Sequence, residues 1–190
     1  MPNLYIIAGP NGAGKTTSAK VLVPNVFRTS YFINADEIAR MLNPLAPEKA
    51  ALNAGRLMLT QINDLIDYKE DFTFETTLSA RTYVNLVNRA KKLGYKVYLT
   101  FLYLESIKLA LKRVKTRVSE GGHNIPEDTV KRRYEAGLKN FFALYKPLVN
   151  NWFFYNNTGS LPELIAAQKG REEIIYKKQF WQEVQNNYGH

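Results

Sequence analysis

Residues 9–16, Gly9-Pro10-Asn11-Gly12-Ala13-Gly14-Lys15-Thr16, fit the pattern G-x-x-x-x-G-K-[ST] in full. Chemistry explains the spacing. Glycines let the backbone curl until successive N–H groups converge on phosphate oxygens. A helix beginning at the end of the loop adds its positive N-terminus. Lys15 then supplies a point charge to the β/γ-phosphates, and the Thr16 hydroxyl supplies a ligand to Mg²⁺. Thr17 extends the loop by one more hydroxyl. A chance match arises in fewer than about one in a hundred chains of this length. ATP with Mg²⁺ is therefore the expected ligand pair.

Two carboxylates fall where such a ligand would be met. Asp36 follows the apolar run at 31–33, and Glu75 ends Phe72-Thr73-Phe74-Glu75. Ligands of open α/β sheets bind beyond the carboxyl ends of the strands. An Asp there can take the proton of a hydroxyl as it attacks the γ-phosphate. Its position before Glu37-Ile38-Ala39-Arg40 equally suits a helix N-cap. Glu75, with Thr77 beside it, can contact a substrate hydroxyl or a magnesium-bound water, or can stand as a solvated strand end.

Cations form the third group. Lys108, Lys112, Arg113, Lys115 and Arg117 crowd one predicted helix, and Lys131, Arg132 and Arg133 open the next. Between them runs Glu120-Gly121-Gly122-His123-Asn124-Ile125-Pro126, with His123 expected as an exposed loop residue. The arrangement reads either as a solvated helix pair or as a lid over phosphates, about 113–133, whose arginines stabilise charge on the transferring group. Arg113 and Arg117, spaced i, i+4, can point the same way. Arg133 lies nearer than Arg132 to the apolar face Val130, Tyr134, Leu138.

The elements that must hold these groups alternate strand and helix. Strands are expected at 3–8, 31–33, 72–75, 95–104 and 152–155. Helices are expected at 15–23 (stopped by Pro24), 36–42, 47–68, 80–92, 105–118 and 127–146. Residues 164–176 read as a hairpin turning at Lys169-Gly170, followed by a terminal helix. In the long helix at 47–68, Leu52, Leu59, Ile62 and Ile66 share one predicted face. The pattern predicts a three-layer α/β fold around a mainly parallel five-stranded sheet, with 1–190 as one domain.

Composition bounds the rest. The chain has 190 residues, 45% hydrophobic and 23% charged, in the range of a globular domain. It has no cysteine, which excludes disulfides and thiol chemistry, and His123 and His190 are too far apart to form a local metal motif. No apolar run is long enough to cross a membrane, and the N-terminus lacks the basic region of a signal peptide; a cytoplasmic location is expected. The formal net charge of +9 favours phosphate-bearing ligands.

The loop, Asn34-Ala35-Asp36, Phe74-Glu75-Thr76-Thr77, the Arg117–Arg133 stretch and Trp152-Phe153-Phe154-Tyr155-Asn156-Asn157 together resemble the zeta toxin family. The resemblance implies a P-loop NTPase fold with a small helical lid. It implies a phosphotransferase acting on an alcohol group, the 3′-hydroxyl of a UDP-N-acetyl amino sugar. Asp36 then matches the catalytic base, Lys15 and Thr16 the nucleotide and metal contacts, and Glu75 and Thr77 the substrate contacts. Arg113, Arg117, Arg132 and Arg133 match the residues that clamp the γ-phosphate. An antitoxin protein is the implied partner, although the loop begins at residue 9, without the N-terminal segment that contributes to antitoxin contact in longer toxins. Two other readings compete. The charge suits a polynucleotide 5′-hydroxyl kinase, though no aromatic stacking platform is interleaved with the basic residues. A regulatory module that binds ATP without transferring phosphate would need no base at Asp36.

Overall fold

A computed structural model describes residues 1–122 and 124–189; His123 and His190 lie outside the described residues. The strands are β1 (Asn3–Ala8), β2 (Tyr31–Asn34), β3 (Phe72–Thr76), β4 (Lys96–Tyr103), β5 (Asn151–Asn156), β6 (Glu163–Lys169) and β7 (Glu172–Ile175). The helices are α1 (Lys15–Leu22), α2 (Ala35–Leu42), α3 (Pro47–Asp67), α4 (Thr82–Lys92), α5 (Ile107–Ser119), α6 (Glu127–Asn140) and α7 (Lys178–Tyr188). One sheet runs in the order β2-β3-β1-β4-β5-β6-β7. Its first five strands pair in parallel. Ile6 and Ile7 point to opposite faces of β1 and both are fully buried, so each face is covered. Layers of helix on both sides of the sheet follow, as the alternating pattern predicts.

The sheet has seven strands rather than five. The predicted hairpin forms, but it joins the main sheet. β6 pairs antiparallel with β5, and β7 with β6. The reason is aromatic. Trp152 of β5 stacks on Trp181 of α7 with ring centroids 5.5 Å apart, and Lys146 Nζ lies 5.1 Å and 5.4 Å from the two ring centroids. Covering Trp152 thus brings the hairpin and α7 to that side of the sheet.

Two other expectations are revised. The α-helix ends before Pro24 as expected, at Leu22 with Val23 as its cap, but the winding does not stop there: a π-helical turn follows over Val23–Phe27, left at Arg28 with φ 53°. Widening the turn relieves the clash of the proline ring with the carbonyl four residues back. In α3 the buried face is Ala50, Ala54, Met58, Ile62 and Ile66, while Leu52 is 69% exposed. Small residues face inward because α2 packs closely along α3. The face predicted on α6, Val130, Tyr134 and Leu138, is buried as expected.

Helix α6 and the π-helical turn that continues it, Phe141–Tyr145, brace the segment that follows β3. Asn140 Nδ2 donates to Leu78 O at 2.7 Å, and Tyr145 OH donates to Ala80 O at 2.8 Å. A Cβ on Gly137 would lie 2.3 Å from Thr77 O. Gly137→Ala must therefore push α6 and Thr77 apart. Overpacking of this kind destabilises by about 1–3 kcal/mol; a lowered denaturation midpoint checks it. Among the described residues no helix is long and apolar enough to cross a membrane.

Candidate active site

The glycine-rich loop leaves β1 and closes on α1. Gly9 has φ 140°, and a Cβ there would fall 2.2 Å from Leu102 O, so β4 admits only glycine at this point. Gly14, left-handed at φ 77°, occupies the N-cap position of α1. Lys15 is consequently the first residue of the helix, 7% exposed, with Nζ donating to Pro10 O at 2.9 Å. Thr16 sits one residue further, its Oγ1 donating to Glu75 Oε2 at 2.8 Å.

Glu75 is the meeting point of three elements. The same Oε2 accepts from Asn34 Nδ2 at 2.8 Å, and Oε1 lies 3.8 Å from Lys15 Nζ. Asn34 turns its Oδ1 the other way and accepts from the Asp36 N–H at 2.8 Å. Asn34, not Asp36, is the N-cap of α2. Asp36 stands in the first turn of that helix beside Glu37, where a carboxylate is favoured by the helix dipole.

Burial works against charge in this cluster. It pushes the Lys15 ammonium below its ordinary value, with the Glu75 and Asp36 carboxylates opposing the shift. It pushes the Glu75 carboxyl up, against the pull of Lys15 and the Thr16 hydrogen bond. The signs set a pH dependence. A carboxyl raised on folding stabilises the fold below its ordinary value, and that contribution is lost as pH rises through the raised one. A depressed lysine contributes above its ordinary value and loses that contribution as pH falls through the depressed one. The melting temperature of the wild type relative to Glu75→Gln should thus be highest in mild acid and decline toward neutrality. A difference constant with pH would contradict the direction assigned to Glu75.

These groups line a cavity of about 660 Å³ at the carboxyl ends of the parallel strands. Of the residues singled out in the sequence, Asn11, Gly12, Gly14, Lys15, Thr16 and Thr17 open onto it from the loop side. Asp36, Glu75 and Thr77 line it from the strand ends, and Arg113, Arg117 and Arg133 from the helix pair. Gly9, Pro10 and Ala13 lie buried behind the loop. Arg132 is exposed and outside the lining.

The arginines differ in their surroundings. Arg113 donates from Nη1 to Asn157 O at 2.9 Å and from Nη2 to Thr158 O at 2.8 Å. Arg133 is half-buried; burial lowers its pKa, while the Asp36 carboxylate acts in the opposite sense. Arg117 and Arg133 both disfavour a charged Lys15, so all three cations act on one region. An anion placed there would relieve the mutual repulsion.

Two site residues carried no role in the sequence. Asn34 belonged to a quoted motif, but only its two hydrogen bonds show what it does. Asn157 donates from Nδ2 to Ala13 O at 2.7 Å, tying the loop to the end of β5. Nothing local in the sequence signals a bond across that separation.

The Zeta toxin family model matches residues 1–159 of the chain. An uncharacterized protein of Haemophilus influenzae is 35% identical over 126 residues, 66% of this chain and 88% of that protein. The structure is similar to that of the AvrRxo1-ORF1:AvrRxo1-ORF2 complex with sulphate ions, with a TM-score of 0.80 at 16% identity. That match covers 97% of this chain and 63% of the other, so this chain spans less than two thirds of its neighbour's length. A structure of the same pair with ATP aligns with a TM-score of 0.78. The PezAT chromosomal toxin–antitoxin system of Streptococcus pneumoniae aligns with a TM-score of 0.67 at 14% identity, over 98% of this chain and 86% of that one. The shared fold is the three-layer P-loop α/β fold.

Proposed function

This chain belongs to the zeta toxin family, and we propose that it transfers the γ-phosphoryl group of ATP to a hydroxyl of a small molecule. A UDP-N-acetyl amino sugar is the first candidate acceptor. The observation that carries the reading is one cavity holding Lys15, Asp36 and Arg133 together at the strand ends. The loop N–H groups and Lys15 bind the phosphates, and Arg117 and Arg133 face the group in transit. The acceptor oxygen attacks the γ-phosphorus while the bond to the β–γ bridging oxygen breaks. Its proton passes to the Asp36 carboxylate, and ADP leaves with the bond's electron pair. Thr77 and Ser79, whose hydroxyls lie 2.9 Å apart, orient the acceptor.

The residues present fit a magnesium ion. Thr16 Oγ1 and Glu75 Oε2 are hard oxygens joined by a 2.8 Å hydrogen bond, the donor type that would hold magnesium. Magnesium takes one or two protein ligands beside phosphates and water; when bound, it neutralises charge on the β- and γ-oxygens. Thr16→Val should therefore fold normally and lose the magnesium dependence of ATP binding, read by titrating ATP with and without Mg²⁺. An equal Mg²⁺ response in both proteins would remove Thr16 from the metal site.

The test of function is an ATP-consumption screen over hydroxyl-bearing metabolites, sugar nucleotides first, with a 5′-hydroxyl oligonucleotide included. The oligonucleotide earns its place through the net charge of +9. Acceptor-dependent ADP release supports the kinase. A rate no higher than with water across the panel would favour a regulatory ATP-binding module. An antitoxin protein is the proposed macromolecular partner, by likeness to the PezAT system.

A further inference from the structure

The glycine-rich loop is also held from behind. Asn157, just past the end of β5, does not line the cavity. Its Nδ2 donates to Ala13 O at 2.7 Å, and a Cβ on Gly14 would lie 2.9 Å from the same Nδ2. The Asn157 amide therefore sits directly against the Ala13–Gly14 peptide. A trans peptide sends its C=O and its N–H in opposite directions. Holding the Ala13 carbonyl toward Asn157 thus turns the Gly14 N–H away from Asn157, and Gly14 lines the cavity. Gly14 is the N-cap of α1, so its N–H is one of the donors that the helix itself leaves unpaired.

Asn157 is itself fixed on every side. Its own N–H donates to Tyr103 O at 2.9 Å, which continues the pairing of β5 with β4 by one residue. The next residue is pinned twice: the Thr158 N–H donates to Asn156 Oδ1 at 3.1 Å, and Thr158 Oγ1 accepts from the Glu105 N–H at 3.0 Å. Arg113 completes the arrangement, with Nη1 on Asn157 O and Nη2 on Thr158 O. Helix α5 also abuts the loop directly. A Cβ on Gly12 would lie 2.9 Å from Ala110 O and 3.1 Å from Arg113 Cβ. The stretch Ala110–Arg113 therefore meets the loop at Gly12 and reaches it again at Ala13, the second time by way of Asn157.

We propose that Asn157 is a positioning residue: through the Ala13 carbonyl it aims the Gly14 N–H at a phosphate oxygen. Arg113 acts in series with it, fixing the strand end from which the Asn157 side chain reaches. Both Nη atoms of Arg113 serve main-chain carbonyls, so its guanidinium belongs to the framework of the loop, and Arg117 and Arg133 are left to meet the phosphates. A peptide set in advance does not have to be ordered when the ligand arrives, which lowers the cost of binding. An N–H that bonds phosphate before and during transfer favours both states alike, so its loss falls on affinity and spares kcat. The proposal rests on the reading of residues 9–16 as the phosphate site.

The test titrates a non-hydrolysable ATP analogue and inorganic tripolyphosphate, each with Mg²⁺, into wild type and variants by calorimetry, with melting curves alongside. Asn157→Ala should weaken both ligands by the same factor, about fivefold, the fold-change that one ordinary hydrogen bond carries. Asn157→Asp keeps the size of the side chain but sets an oxygen against the Ala13 carbonyl, and should weaken both at least as much. In ATP turnover, Asn157→Ala should show that factor in KM and leave kcat within about twofold of wild type. Arg113→Met should weaken both ligands, and the double variant should bind no worse than the weaker single one, because the two residues act in series. Unchanged tripolyphosphate affinity in Asn157→Ala, or wild-type affinity in Asn157→Asp, overturns the positioning role and leaves Asn157 a packing residue. Additive losses in the double variant overturn the series and place Arg113 on the ligand. A wild type that binds neither ligand removes residues 9–16 from phosphate binding, and the kinase reading falls with it.

Discussion

Lys15→Ala should lower kcat/KM for ATP by about 10³ or more, the scale seen when a preorganised cation or donor is taken from a developing charge. Lys15 is nearly buried, and its ammonium is already held against the loop by Pro10 O. Phosphate oxygens entering the loop would meet a charge that needs no reorganisation. Removing it also leaves Glu75 without the cation that opposes the burial-driven rise of its pKa, so the Glu75 carboxyl is pushed further up. ATP turnover by a coupled assay, with a melting curve to confirm folding, checks the result. Turnover within tenfold of wild type would sink the assignment of this loop as the phosphate site.

Asp36→Asn should lower kcat by about 10² to 10⁴, the range for loss of a general base, with ATP affinity and melting temperature unchanged. The structure makes this substitution cleaner than the sequence suggested. A cap at Asp36 would have mixed stability with catalysis. Asn34 caps α2 instead, so the start of the helix survives whatever replaces the Asp36 carboxylate. Acceptor phosphorylation at saturating ATP is the measurement. Activity within a few-fold of wild type would leave Asp36 only its favourable place at a helix N-terminus and would shift the search for a base to Glu75.

What could be read from the sequence was what lies close together in it. The loop at 9–16 is one contiguous motif whose residue types are dictated by the geometry of phosphate, and the strands' carboxyl ends then locate Asp36 and Glu75. Arg133 was separable from Arg132 because helical periodicity places it nearer Tyr134 and Leu138. Three features escaped for physical reasons. The inward face of α3 is built on Ala50 and Ala54, and a count of large apolar residues selects Leu52 instead. The pairing of the 164–176 hairpin with β5 depends on a tryptophan contact between distant segments. The hydrogen bonds of Arg113 to Asn157 and Thr158, and of Asn157 to Ala13, join α5 to the glycine-rich loop; they exist only once the sheet has assembled.

The antiparallel hairpin and α7 have a consequence away from the chemistry. They cover the side of β5 that carries Trp152 and Phe154, both fully buried, and they occupy the hydrogen-bonding edge of that strand. A chain ending at Gly159 would keep every residue that lines the cavity. It would also present an open strand edge flanked by indole and phenyl rings, the kind of surface that recruits other copies into aggregates. The residues that line the cavity and those that cover the strand edge therefore lie in separate stretches of the polypeptide. A substitution in the last thirty or so residues can uncover that edge without replacing a single residue that lines the cavity.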